Sequence, residues 1–303
     1  MTETGKTVSL VLGSGGARGL AHIGIIEWLD ANGYVIKSIA GSSMGALVGG
    51  IYAAGKLSVY VEWVQALERR DVLELLDLSF RSAGLFKGER IIAVLRDLIG
   101  DYRIEELPIS YTAVATDLDT EKEVWLSKGP LFDAIRASIA IPTLLTPYTM
   151  EGRSLVDGGL VNPVPIAPTL RDLTSITIAV DLSGPPDPSL DQPEEEVPPA
   201  PQSIYQRRVR EFVEALQSKM PLGERQDRGP LEIIMRSFET MQAIVARLKL
   251  AAHPPDVVIA IPGNACRFFE FYRAAELIKL GREKAEAVLG GGPGGGEAPP
   301  PGT

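Results

Sequence analysis

The 303 residues carry 30 Lys and Arg against 39 Asp and Glu, a formal charge of −9, and 45% of them are hydrophobic. That balance excludes a nucleic-acid binder, which needs a basic patch, and offers no long-range attraction to anionic lipid, so membrane contact is expected to be peripheral, apolar and local. The apolar content suits one large α/β core with a smaller appendage, and the single cysteine, Cys266, permits no intramolecular disulfide and fits a reducing cytoplasm.

In chain order, the polar stretch Met1–Lys6 runs directly into a strand, so no secretory signal is expected. No apolar run reaches the roughly 18 residues that cross a bilayer. Val8–Leu12 reads as the first strand. It is followed by the turn Gly13-Ser14-Gly15-Gly16-Ala17-Arg18-Gly19 and a helix from Leu20 to Ala31. A glycine turn between strand and helix presents backbone N–H groups to an anion, with the helix dipole behind them. A dinucleotide site needs glycine where Arg18 stands and an acidic residue at the end of the next strand, where Ser38, Ile39 and Ala40 stand. A P-loop needs a Gly-Lys-Ser/Thr that does not follow. These missing features favour an oxyanion hole over a nucleotide site, which stays open as the second reading.

Val35–Ala40 is the second strand, and the small-residue helix from Met44 to Ala54 follows it through Gly41-Ser42-Ser43-Met44-Gly45. A serine at such a corner is forced into a sharp turn that lifts its hydroxyl clear of the sheet, and the flanking glycines leave room for the turn. Ser43 is therefore the candidate nucleophile, with Ser42 its neighbour.

A serine hydroxyl needs a base beside it, and three residues offer one. His22 lies in the helix after the glycine turn with nothing linking it to Ser43, so it reads as a packed or capping histidine. His253, in Ala252-His253-Pro254-Pro255-Asp256, would close a Ser…Asp…His order, yet it equally reads as a simple loop residue. Asp157 ends a short strand and is followed by Gly158 and Gly159. Alone, that is an ordinary Asp-Gly turn.

Further along, Val59–Phe80 is an amphipathic helical region, read as core or lid packing in preference to an acyl-pocket wall. Phe80–Lys87 reads as a loop over the site. Ser110–Thr116 and Lys122–Ser127 form a hairpin through 117–121, which makes the sheet mixed. A helix spans Leu131–Ile139, and strands follow at Arg153–Asp157, Ile176–Asp181 and Val257–Ile261. Gly184–Gln202 is dense in Pro and Glu and reads as a solvated linker. Helices are expected at Ser203–Lys219 and Leu231–Leu250, the second with an apolar stripe of Ile234, Phe238, Met241, Val245 and Leu248 that docks on the α/β body in preference to pairing with another subunit or lying on a bilayer. From Gly290 the Gly/Pro tail reads as disordered.

Taken together, the glycine turn with its arginine, the Gly-x-Ser-x-Gly elbow one βα unit later and the downstream Asp-Gly-Gly resemble the patatin-like phospholipase family, in particular its bacterial and neuropathy-target-esterase-like members. Arg136-Ala137-Ser138-Ile139-Ala140-Ile141-Pro142 and Asn162-Pro163-Val164-Pro165 are also similar to family segments. The likeness covers roughly Val8 to Asp181 and, more weakly, Asp256 to Leu289.

The resemblance implies a three-layer α/β/α fold with a mixed, mostly parallel central sheet and a helical insertion. It divides the chain into a catalytic domain (1–183), a linker (184–202), the insertion (203–252), a closing strand and helix (253–289) and a tail (290–303). It also implies a Ser43–Asp157 dyad with no catalytic histidine. The oxyanion hole maps onto Gly15, Gly16, Ala17 and Arg18, and Gly13, Gly19, Gly41, Gly45, Gly158 and Gly159 are motif glycines. Arg18 is expected to brace the turn. Ser14 departs from the family, many members of which have a third consecutive glycine there, but serine keeps its N–H. The implied activity is hydrolysis of acyl-lipid or lysophospholipid esters through an acyl-enzyme, with no cofactor or metal. Asp157, an unperturbed carboxylate at about 3.9, needs burial to serve as a base near neutrality. Two other readings stay open: a regulatory or scaffolding protein of the same fold with little turnover, and a Rossmann-type nucleotide enzyme.

Overall fold

In the computed structural model, which describes residues 5–69, 71–72, 88–190 and 230–291, eight strands of the described chain form one mixed sheet. They are β1 (Thr7–Leu12), β2 (Val35–Ser42), β3 (Ser110–Asp117), β4 (Lys122–Leu126), β5 (Tyr148–Met150), β6 (Arg153–Asp157), β7 (Ile176–Gly184) and β8 (Val257–Pro262). The described helices, in chain order, are α1 (Ala21–Ala31), α2 (Met44–Ala53), α3 (Leu57–Gln65), α4 (Glu89–Ile99), α5 (Leu131–Ser138), α6 (Pro230–Ala252) and α7 (Ala274–Leu289). Strands β3-β2-β1-β7-β8 lie side by side and parallel.

The central strands are apolar almost throughout because helices cover both faces of the sheet. Leu10 and Leu12 enter the large core with α1, α2 and α7. Val11 and Ala179 instead meet Val164, Ile166 and Ala246 of α6. One residue of offset along β1 therefore selects the layer, as the period of two requires. The expected three-layer, mostly parallel fold is what forms.

β3 organises the site. Its edge toward β4 is paired along Ala113–Asp117, antiparallel, as the hairpin reading anticipated. The opposite edge is shared end to end by two strands. Ser38–Ser42 of β2 pair parallel with Ser110–Val114, and Leu155–Asp157 of β6 pair antiparallel with Ala115–Asp117. Because β2 and β6 run in opposite directions along one edge, their C-terminal ends abut at Val114 and Ala115.

Several sequence expectations change. β5 and α4 were not anticipated; β5 is three residues long, too short for a periodic signal. In the region expected as helical over Val59–Phe80, α3 ends at Gln65 and helix resumes at residues 69, 71 and 72, while residue 70 and residues 73–87, including the expected loop, lie outside the described residues. The opening of the expected linker belongs to the body instead. Gly184 ends β7, and Asp187 exchanges two hydrogen bonds with the side chain of Asn264, each 2.9 Å. Residues 191–202, the helix expected at Ser203–Lys219 and residues 292–303 lie outside the described residues.

α6 does dock on the body, but with a face rotated from the expected stripe, sharing Phe238 with it. Met235, Phe238, Gln242 and Ala246 are buried, whereas Ile234, Met241 and Leu248 of the expected stripe are exposed. Among the described residues, no helix is long and apolar enough to cross a membrane.

Candidate active site

Ser43 occupies the corner between β2 and α2 with φ 54° and ψ −120°. A side-chain-bearing residue in that region is strained by about 1–3 kcal/mol and persists only when its surroundings over-determine it. Here they do. A Cβ on Gly45 would fall 2.0 Å from the Leu12 carbonyl oxygen, and one on Gly41 would fall 2.4 Å from the Gly45 backbone. Only glycine at both positions lets the chain double back so tightly.

The amide of Ser43 donates to Ser138 Oγ at 2.9 Å, and the Ser138 hydroxyl donates to the Val114 carbonyl at 2.6 Å. Ser138 thus ties the elbow to β3. It lies inside a segment quoted above for its family likeness, but nothing in its local pattern marked this role. Ser138→Ala is expected to destabilise the fold by about 1–3 kcal/mol, because it strands a buried amide and a buried carbonyl. A urea titration of the variant checks this; an unchanged midpoint would remove Ser138 as the brace.

Asp157, the last residue of β6, reaches the elbow from the other side. Its Oδ2 accepts the Ser43 hydroxyl at 2.5 Å, across 114 residues of sequence. Its Oδ1 accepts the Gly159 amide at 2.7 Å, and its own amide donates to the Ala140 carbonyl at 2.9 Å. Ser43 and Asp157 are 2% and 1% exposed, so water contributes little to solvating the carboxylate. Burial pushes the Asp157 carboxyl up to about 7, against the downward pull of the Ser43 and Gly159 hydrogen bonds.

The glycine turn lies alongside. It becomes a 3-10 turn, Gly16–Leu20, with Gly15 preceding it. Among the described residues, the amides of Gly15 and Gly16, at the start of this turn, make no main-chain hydrogen bond of the kind made by Gly13, Ser14 and Ala17. The Ala17 amide is different: it donates to the Phe268 carbonyl at 2.9 Å. Its expected place in an oxyanion hole is therefore taken by a main-chain partner. Arg18 is buried and turns away into the C-terminal part of the chain, donating to the Gly263 carbonyl at 3.0 Å and to Glu239 at 2.8 Å. Its side chain spans elements rather than facing Ser43. The amide of Met44, first in α2, likewise lacks an intrahelical acceptor. Its place directly after the elbow serine was the signal for that donor.

Neither histidine stands beside Ser43. His22 is fully buried, and its Nε2–H donates to the Gly13 carbonyl at 2.8 Å. Burial lowers it to about 4, so the ring is neutral and supports the glycine turn. His253 is exposed at the end of α6. Cys266 is buried, and burial pushes its thiol up to about 12, far from a reactive thiolate. Among the described residues, no group of three His, Cys, Asp or Glu is placed to hold a metal ion.

Ser43 and Gly16 open onto a cavity of about 110 Å³. Its walls are almost wholly apolar and include Tyr60 and Val64 of α3, Leu95 of α4, Leu144, Phe268 and Phe269. α3, read from the sequence as core or lid packing, therefore also lines the space in front of the serine. Phe268 lines it too, while its carbonyl holds Ala17, so a residue distant in sequence serves both the turn and the cavity.

A family model described as patatin-like phospholipase matches residues 10–170, which include Ser43, Asp157 and the glycine turn. The chain is 40% identical over 331 aligned residues to an uncharacterized NTE family protein of Mycobacterium tuberculosis, covering 93% of this chain and 91% of that one. It is 35% identical over 189 residues to Lysophospholipase NTE1 of Kluyveromyces lactis, covering 60% of this chain and 13% of that protein. It is 32% identical over 195 residues to Neuropathy target esterase sws of Drosophila melanogaster, covering 62% of this chain and 14% of that one. Among solved structures, VipD from Legionella pneumophila aligns with 94% of this chain and 67% of its own at 12% identity and a TM-score of 0.43.

Proposed function

The chain belongs to the patatin-like phospholipase family and is a lipid ester hydrolase, and on that premise we propose that Ser43 and Asp157 form its catalytic dyad. The observation that carries this reading is the 2.5 Å hydrogen bond from the Ser43 hydroxyl to Asp157, made to a carboxyl raised to about 7. A base whose pKa lies near the working pH is ionised often enough to accept a proton and acidic enough to return it.

The reaction then follows in balanced steps. Ser43 Oγ bonds to the acyl carbonyl carbon while its proton passes to Asp157 Oδ2. The carbonyl oxygen becomes an oxyanion held by the amides of Gly15 and Gly16. Each such donor is typically worth about 10²–10³ in rate. As the tetrahedral intermediate collapses, the bond to the alcohol oxygen breaks and Asp157 protonates the departing alkoxide. A water then repeats the sequence on the acyl-enzyme, losing its proton to Asp157 and releasing the fatty acid and free Ser43.

The substrate is proposed as a lipid that presents one acyl chain, such as a lysophospholipid. The apolar cavity in front of Ser43 suits an acyl chain, and the name of the yeast relative, a lysophospholipase, points to one chain per substrate. A lipid panel measured by fatty-acid release, with Ser43→Ala as control, tests the reading. Release from lysophospholipids above that from diacyl lipids is expected. Faster release from diacyl lipids would change the substrate, and no release from any ester would remove the hydrolase mechanism.

His253→Ala is expected to keep wild-type kcat. His22→Ala is expected to lower stability by about 2–3 kcal/mol, through a cavity and a lost bond to Gly13, yet keep most of its turnover per folded molecule. A thousandfold loss of kcat in either, with the fold intact by circular dichroism, would put a histidine in place of the dyad.

A further inference from the structure

Two polar side chains of α6 grip the turn that presents Gly15 and Gly16, one on each side. Gln242 Nε2 donates to Ser14 Oγ at 3.0 Å, and both residues are buried. Glu239, three residues earlier on the same helix face, accepts from Arg18 Nη2 at 2.8 Å. Ser14 offers the one side chain between Gly13 and Gly16 that a neighbour can hold. The grip on Gln242 extends further. A Cβ on Gly159 would lie 2.2 Å from Gln242 Nε2 and 2.4 Å from Ser14 Oγ, and the Gly159 amide is the donor that holds Asp157 Oδ1. One buried amide group therefore abuts both the turn carrying the proposed oxyanion donors and the turn carrying the carboxylate.

A polar group on the inward face of a helix costs stability unless it is hydrogen-bonded. α6 turns Gln242 and Glu239 toward these loops while Ile234, Met241 and Leu248 are exposed. The docked face is thus the one complementary to the site, and it lies outside the 10–170 stretch matched by the family model.

We propose that Gln242 and Glu239 are positioning residues for the hydrolysis: through Ser14 and Arg18 they fix the glycine turn so that its amides face the oxyanion as it forms. The inference rests on the dyad reading above and assigns a role in it to α6. Amides aimed at an oxyanion matter in the transition state and little in the ground state, so the clamp acts on kcat and not on KM.

The test uses the full chain and a soluble p-nitrophenyl acyl ester. Gln242→Met, which keeps the volume and removes the bond, is expected to lower kcat by about tenfold, the scale of a small misplacement of catalytic groups, with KM within about twofold. Ser14→Gly should match it, and the double variant should be no slower than either single, because the two side chains act as one unit. Affinity for a trifluoromethyl ketone, which forms a tetrahedral adduct on serine, should fall in parallel with kcat, while affinity for the free fatty acid holds. Glu239→Gln, which keeps an acceptor for Arg18, should retain more activity than Glu239→Leu.

Wild-type kcat in both Gln242→Met and Ser14→Gly, a loss confined to KM, or single effects that multiply in the double variant would each overturn the clamp. Ser14→Gly alone carries the test if Gln242→Met does not fold. A wild-type chain inert toward every ester would instead remove the dyad reading, so the two failures are distinct.

Discussion

Ser43→Ala is expected to abolish turnover and covalent labelling by a fluorophosphonate, with kcat lowered by about 10⁴–10⁶, the scale on which removing a nucleophile acts. The fold should survive. The bond from the residue 43 amide to Ser138 Oγ, and the glycines that make the corner, do not involve the side-chain oxygen. What is lost is the hydroxyl held at 2.5 Å from the buried Asp157 carboxyl. Mass spectrometry of probe-treated wild type and variant reads the result directly. Undiminished labelling of Ser43→Ala would move the nucleophile elsewhere.

Asp157→Asn is expected to lower kcat by about 10³–10⁴, the upper range for loss of a general base, and to change how stability depends on pH. The active form of Asp157 is the carboxylate, so kcat/KM should fall about tenfold per pH unit below about 7 and level off above it. The stability effect has the opposite sense. The folded carboxyl is raised from 3.8 to about 7 by burial, so the folded state holds its proton more tightly than the unfolded chain. That contribution is complete below about 3.8 and is lost as pH rises through about 7, at a cost on the order of 4 kcal/mol at pH 8. Asparagine carries no charge to desolvate, so Asp157→Asn should melt above wild type at pH 8, with the difference shrinking to nothing near pH 4.

His22 runs the other way. Lowered to about 4 by burial, it contributes stability that is present above its unfolded value of about 6.5 and lost as pH falls through 4. The two groups oppose each other across the same window. The difference between Asp157→Asn and wild type isolates the carboxyl, whereas the wild-type curve alone does not. Equal melting temperatures at pH 8, or a rate that stays flat down to pH 5, would show that Asp157 is not the buried base.

The elements that carry local signals were legible before any coordinates. β1 and β2 announced themselves as apolar runs ending in glycine turns, and Gly41 and Gly45 marked the elbow because the corner there admits no Cβ. The hairpin of β3 and β4 was visible from two strand-like runs joined by a short polar turn. Each depends on residues within a few positions of one another, where backbone sterics and side-chain period decide the outcome.

What formed over long distances was not legible in the same way. That Asp157 lies beside Ser43 follows from two strands meeting end to end on one edge of β3, a matter of sheet register; family resemblance implied the pairing, but no spacing in the chain contains it. That the Ala17 amide is consumed by Phe268 depends on a carbonyl 251 residues away by sequence number, whereas the family resemblance had placed Ala17 among the donors. α6 shows the contrast most directly. Its periodicity pointed to Ile234, Phe238, Met241, Val245 and Leu248 as the docking stripe; Phe238 is buried as expected, but Ile234, Met241 and Leu248 are exposed, and Gln242 and Glu239 instead meet Ser14 and Arg18. The sequence by itself determined the strand–turn–helix units and the serine corner, since these rest on short-range geometry, and the family, since its three motifs stand in order along the chain. Tertiary packing alone decided which donors are free, which face of α6 is buried and what walls the cavity, since burial and hydrogen-bond partners at those positions come from segments the chain brings together only on folding.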